Sequence, residues 1–147
     1  MNISISHSTS FDFEKELYEP IKKSFRLRKH NFFFPEDRVK NTRDVIKSCD
    51  IMIADVSYPS TGTGIEIGWA STVNKPIYCI YKKGKEYSFS LKFITENFYE
   101  YTEDNLTKVI EQIIRDYKKS CGIEDVLEED SFEGNILNEI IVDDIND

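Results

Sequence analysis

A carboxylate beside a glycine-rich turn can serve as a nucleophile. The stretch Ile51-Met-Ile-Ala-Asp-Val-Ser-Tyr-Pro-Ser-Thr-Gly-Thr-Gly-Ile-Glu-Ile-Gly-Trp-Ala70 holds such an acid in Glu66. Two readings of it stand open. In the first, Thr63-Gly64-Ile65-Glu66 is a capping box, the Thr63 hydroxyl and the Glu66 carboxylate each satisfying a backbone N–H of the other. In the second, the dipole of the following helix keeps Glu66 ionised, and Gly62 and Gly64 let a ligand approach the backbone closely, so that the carboxylate can attack it.

The elements that would position Glu66 are legible on both sides of it. Ile51 to Ala54 is a short, β-branched apolar run, as expected of a strand covered on both faces, and Asp55 closes it. Pro59, Ser60, Gly62 and Gly64 turn the backbone, after which Ile65, Trp69 and Val73 repeat at helical spacing. Glu66 is therefore expected in the first helical turn beyond the carboxyl end of a strand, where open α/β sheets hold their ligands.

At 147 residues the chain has room for one domain with a three-layer core. The net charge of -8 is unevenly spread: residues 122–147 carry ten Asp or Glu and no Lys or Arg, leaving 19 basic and 17 acidic side chains in residues 1–121. A body so near neutral argues against a nucleic-acid polymer as partner, because neutralising a phosphate backbone takes a basic face. Small anionic ligands remain compatible with it. No apolar run approaches the roughly 20 residues that span a bilayer, and the first residues lack the basic-then-apolar layout of a secretory signal. No membrane partner and a cytoplasmic location are expected. Cys49, Cys79 and Cys121 are scattered, with no C-x-x-C pair, and His7 and His30 share no ligand spacing with them, so neither a disulfide framework, a metal nor another cofactor is expected.

Along the chain, Asn2 to Ser6 alternates as a first strand, and the polar run His7-Ser8-Thr9-Ser10 follows it. Phe13, Leu17, Ile21 and Phe25 recur every four residues, predicting a helix that Pro20 bends or stops early. Asn31 to Phe34 reads as a short aromatic strand, Asp37 as the cap of a helix through Val39, Val45 and Ile46, and Ile77 to Tyr81 as a fourth apolar strand. Lys82-Lys83-Gly84-Lys85 is a basic turn at the same edge as Glu66, and Ser88 to Ile94 a short helix or ordered loop. Phe98 to Tyr101 is a fifth strand, and Leu106, Val109, Ile110, Ile113, Ile114 and Tyr117 form a helical face. Strands alternating with helices predict an α/β fold with a doubly wound, five-stranded parallel sheet in residues 1–121. Residues 122–147 read as an acidic tail. It is either a mobile solubilising extension or, through Ile136-Leu137 and Ile140-Ile141-Val142, a segment that folds onto a partner subunit or another protein.

Asp50 to Ala70, with Asn74-Lys75-Pro76 and the strand behind it, resembles the nucleoside 2-deoxyribosyltransferase superfamily. Within it the likeness is to the 2'-deoxynucleoside 5'-monophosphate N-hydrolases, whose pattern there is Pro-Ser-x-Gly-x-Gly-x-Glu-Leu-Gly. It extends over residues 1–117 and is specific in its central part. The resemblance implies a flavodoxin-like (Rossmann-like), three-layer fold and a nucleoside or nucleotide ligand. It implies attack of Glu66 on the anomeric carbon to form a glycosyl-enzyme intermediate, with Ser60 as an active-site serine. Ser90, or else Ser88, matches a serine that reaches the phosphate in the neighbouring subunit's site, hence a homodimer. An ionised carboxylate suits this chemistry, because oxocarbenium character builds at the sugar as an N-glycosidic bond breaks.

Two positions depart from the family. Its glycine-rich phosphate loop is replaced by Ser6-His7-Ser8-Thr9-Ser10, whose hydroxyls would hold a phosphate without an assured backbone cradle. Its general acid falls on Thr42, and Asp44 lies about 200° further round a helix. Asp12 and Asp55 are the other candidates for proton transfer, each with an ordinary role as a helix-start or strand-end carboxylate. The expected activity is cleavage or transfer of an N-glycosidic bond. The alternatives are a nucleotide-binding or partner-binding module that has lost its acid, and an NAD-cleaving enzyme similar to Toll/interleukin-receptor domains.

Overall fold

The structure, a computed structural model, describes residues 1–35 and 41–123. The chain divides into two compact units, Met1–Ile113 and Ile114–Asp147. The first is built on five strands, β1 (Asn2–Ser6), β2 (Asn31–Phe33), β3 (Ile51–Asp55), β4 (Ile77–Lys82) and β5 (Phe98–Tyr101). All pair in parallel, in the order β2-β1-β3-β4-β5. This is the doubly wound parallel sheet expected of the alternating pattern, in the flavodoxin-like order that the resemblance implied. The direction of winding reverses between β1 and β3, so the carboxyl ends of these two strands flank a crevice.

The sheet is positioned by what covers it. On one face Met52, Ala54 and Val56 pack with Ile77 and Cys79 of β4 against Ile46 of α2 (Thr42–Ser48) and Ile67 and Ala70 of α3 (Thr61–Thr72). By the two-residue period of a strand, Ile51, Ile53 and Asp55 point to the other face. Right-handed crossovers carry the first helical segment to that side, as the ring contacts of His7 with Phe13 and Tyr18 agree. Leu106, Ile110 and Ile113, from the first half of α4 (Leu106–Ser120), are fully buried. In the second unit α4 ends in a Schellman cap: Gly122, at φ 72°, allows its own N–H to reach the Lys119 carbonyl and that of Ile123 to reach Lys118.

Three local expectations change. The first helix is a π-helical turn, Glu14–Tyr18, running into α1 (Glu19–Lys23), with Pro20 in its first turn. The Pro20 ring would collide with the Glu16 carbonyl in a regular helix, and the turn ahead of it widens, Glu19 N–H bonding to Glu14. The helix stops before Phe25, which is 79% exposed and not part of the buried stripe. On α3 the buried residues are Thr63, Ile67 and Ala70, while Ile65 and Val73 are exposed and Trp69 is half-buried, so the expected apolar stripe is not the face that meets the sheet. Finally, α2 is capped by Asn41, whose side chain accepts the Arg43 N–H at 3.0 Å. The cap expected at Asp37, like the acidic tail from residue 124, lies outside the described residues.

Candidate active site

Ser60 starts α3. Its side chain accepts the Thr63 N–H at 3.3 Å and its carbonyl the Gly64 N–H at 3.1 Å. The helix therefore begins one turn earlier than the Thr63-to-Glu66 spacing suggested, and Glu66 is its sixth residue, not a first-turn acid. The capping box is thereby ruled out. The Thr63 hydroxyl is instead buried with no hydrogen-bond partner among the described residues. The space around Gly64, where no described atom beyond its chain neighbours and its own helix backbone lies within 4 Å of an added Cβ, leaves the backbone approachable on that turn.

Glu66 is half-buried, and its neighbours come from the end of β1. Burial raises its pKa above the ordinary carboxylate value, while the Ser6 hydroxyl and the charge of His7 act in the opposite direction. The expectation that the helix dipole holds Glu66 ionised is corrected here: the dipole fades beyond the first turn, and desolvation dominates. Ser6 is 1% exposed, and among the described residues its hydroxyl has no hydrogen-bond partner that would draw it away from the Glu66 carboxylate.

The remaining expected site residues are placed as follows. His7 is buried; its Nδ1 lies 2.8 Å from the Ser8 carbonyl and must carry a proton, while Nε2 meets the Tyr18 hydroxyl. Ser8 Oγ donates to Ser10 Oγ at 3.0 Å and accepts the Ser10 N–H at 3.1 Å, and Thr9 is exposed. Asp12 is exposed and accepts the Lys15 N–H at 3.3 Å, as a helix-start residue does. Asp55 is 1% exposed; its oxygens accept the Ser57 N–H at 2.9 Å and the Tyr101 hydroxyl at 2.5 Å. Ser6 pairs in register with Ala54, on the α3 side of the sheet, so Asp55 faces away from Glu66. Ser90 is exposed on a turn of 3-10 helix, Phe89–Phe93.

Sequence reasoning placed the basic turn at this edge but missed the cluster it forms there. Lys82 Nζ pairs with Glu16 at 2.5 Å and sits 4.3 Å from the Phe11 ring centroid and 5.1 Å from that of Tyr58. Phe11 and Tyr58 stack at 5.4 Å, joining the loop after β1 to the loop after β3 across the crevice. Burial disfavours the charge of Lys82, but Glu16 and Tyr58 outweigh it and raise the pKa. No local pattern announces these contacts, since the partners are far apart in the chain. Among the described residues no group of three or more His, Cys, Asp or Glu could hold a metal ion, and no helix is long and apolar enough to cross a membrane. A cavity of about 440 Å³ lies at the opposite, amino edge, between Asn74, Lys75, Ile94 and Asn97, away from these groups.

Fold and site together define an α/β protein of flavodoxin-like topology with a half-buried carboxylate at the carboxyl edge of its sheet. The chain belongs to the nucleoside 2-deoxyribosyltransferase family, whose model matches residues 9–132. It is similar to the 5-hydroxymethyl-dUMP N-hydrolase of Danio rerio, 28% identical over 92 residues that cover 57% of this chain and 64% of the relative. The chain spans less than two thirds of the length of the curated relatives it matches. Among solved structures it is similar to the CMP N-glycosidase of Clostridium botulinum, at 25% identity and a TM-score of 0.55, covering 78% of this chain and 99% of that one. The 2-deoxyribosyltransferase of Bacillus psychrosaccharolyticus shares the fold at 14% identity and a TM-score of 0.55, covering 72% of this chain and 90% of that one.

Proposed function

We propose that this chain breaks the N-glycosidic bond of a nucleoside 5'-monophosphate, with Glu66 as the nucleophile. The observation that supports this reading is the half-buried Glu66 carboxylate, set beside Ser6 at the β1/β3 crevice of a chain that belongs to the nucleoside 2-deoxyribosyltransferase family. A Glu66 oxygen attacks the anomeric carbon as the bond to the base breaks; the base leaves with the electron pair and takes up a proton. Water, or another base, then displaces the carboxylate and restores it. Asp12, exposed near the loop after β1, is better suited to supply the proton than Asp55, both of whose oxygens are engaged. Thr42, the first residue of α2, supplies no carboxylate, and with the glycine-free loop after β1 this favours a binding module without turnover.

Chromatography of nucleosides, nucleoside 5'-monophosphates and NAD after incubation with the protein tests the reading. Free base is expected from the monophosphates. Release from none of them would leave the binding module, and nicotinamide alone would point to an NAD-cleaving enzyme. The pH profile is a second check. Because the attacking form is the anion and burial raises its pKa, the acid limb of turnover is expected above the ordinary value of 4.5. Ser6→Ala should move that limb to still higher pH, since the hydroxyl favours the anion; an unmoved limb would remove Ser6 from the site.

The reading includes a homodimer in which Ser90 reaches the neighbour's site. Two apolar surfaces support it: the exposed Ile65 of α3 and Val73 at its C-cap, and Phe89 and Phe93, 68% and 82% exposed on either side of Ser90. Mixing Glu66→Ala with Ser90→Ala subunits should regenerate part of the wild-type activity. Absence of rescue despite demonstrated subunit exchange would count against a shared site.

A further inference from the structure

We propose that the substrate's phosphate is received by the turn that ends β4, between the ammonium groups of Lys82 and Lys85, and that the Glu16 carboxylate takes the Lys82 side of that place in the free protein. This rests on the base-releasing reading above and names the group that selects a phosphorylated substrate. The loop after β1 is poorly equipped for the task. It contains no glycine, the Ser8 hydroxyl is engaged with Ser10, and both nitrogens of His7 are engaged with Ser8 and Tyr18. A neutral serine from a neighbouring subunit offers a hydrogen bond to a phosphate dianion but no charge to balance it.

The β4 turn supplies that charge. The Lys85 N–H bonds to the Lys82 carbonyl at 2.9 Å, and Gly84, at φ 83°, takes the left-handed position that closes the turn. The turn brings both lysines to one aromatic ring: Lys82 Nζ is 5.1 Å and Lys85 Nζ 4.8 Å from the centroid of Tyr58. Tyr58 in turn stacks on Phe11, so the two cations converge on the loops that flank the crevice. Two like charges on one ring repel unless an anion lies between them. Glu16 balances Lys82, whereas Lys85 has no carboxylate partner among the described residues. A dianion that displaces Glu16 from Lys82 and also engages Lys85 would neutralise both, which fits a phosphate monoester.

Two substitutions of opposite expected sign test the proposal. Lys85→Ala should lower kcat/KM for a nucleoside 5'-monophosphate about tenfold, through KM, while leaving any release from the unphosphorylated nucleoside unchanged. Glu16→Gln should raise it and strengthen competition by inorganic phosphate. Lys83→Ala, an equal loss of charge one step outside the ring contacts, is the control. An equal loss in Lys83→Ala would reduce the effect to a diffuse field, and an equal loss on nucleoside and nucleotide would reduce it to structure; either overturns the phosphate site. Weaker phosphate competition in Glu16→Gln would overturn the placeholder. Should the wild type release no base at all, the base-releasing reading fails separately, and calorimetric titration with inorganic phosphate still decides the site: binding that Lys85→Ala weakens and Glu16→Gln strengthens supports it, and binding indifferent to both overturns it.

Discussion

Glu66→Gln is expected to cut base release by at least about a hundredfold while the nucleotide still binds. The amide keeps the size and the helix but cannot attack the anomeric carbon. Its effect cannot be assigned to a damaged helix start, because Ser60, not Glu66, caps α3. Stability should move the other way. A carboxyl whose folded pKa is raised holds its proton more tightly folded than unfolded, so its favourable contribution is present at low pH and lost as pH rises from the unfolded value through the folded one. At neutral pH the substituted protein should therefore unfold at a higher temperature than the wild type, the pattern of a site in which function opposes stability. Turnover near the wild-type rate in a folded Glu66→Gln protein would leave Glu66 without a chemical role.

The sheet was legible because each strand declares itself locally. Ile51 to Asp55 is buried from end to end, as an uninterrupted apolar run implies, and Ile3 and Ile5 alternate with Ser4 and Ser6 as a two-sided strand must. The faces of α3 were not legible. Ile65, Trp69 and Val73 recur at helical spacing as well as Thr63, Ile67 and Ala70 do, and the sheet buries the second set while Ile65 and Val73 stay exposed. The site divides in the same manner. Ser60 and Glu66 share one turn-and-helix segment and could be read together, with the error of one turn coming from two equally plausible hydroxyl caps, Ser60 and Thr63. Lys82 with Glu16, and Tyr101 with Asp55, are pairs made by topology, and no residue near either partner in the sequence signals the other.

The buried pair of Asp55 and Tyr101 carries the largest expected effect on stability. Asp55 closes β3, Tyr101 ends β5, and the Ser57 hydroxyl accepts the Lys82 N–H at 2.8 Å, so one carboxylate ties together the carboxyl ends of three strands. Burial and the adjacent Asp55 charge push the Tyr101 phenol far above its ordinary pKa, so it remains a donor throughout the working pH range. Asp55→Ala leaves a buried hydroxyl and a backbone N–H without acceptors, and should cost about 3 kcal/mol in chemical denaturation. Asp55→Asn is the informative companion. Its amide oxygen can accept the Ser57 N–H and its amide N–H can donate to the Tyr101 oxygen, so the fold should survive with most of its stability. If the carboxylate serves the framework, that variant retains turnover within a few-fold of wild type, because both Asp55 oxygens are already engaged by Ser57 and Tyr101. A folded Asp55→Asn protein that loses base release as completely as Glu66→Gln would instead make Asp55 the group that moves the proton.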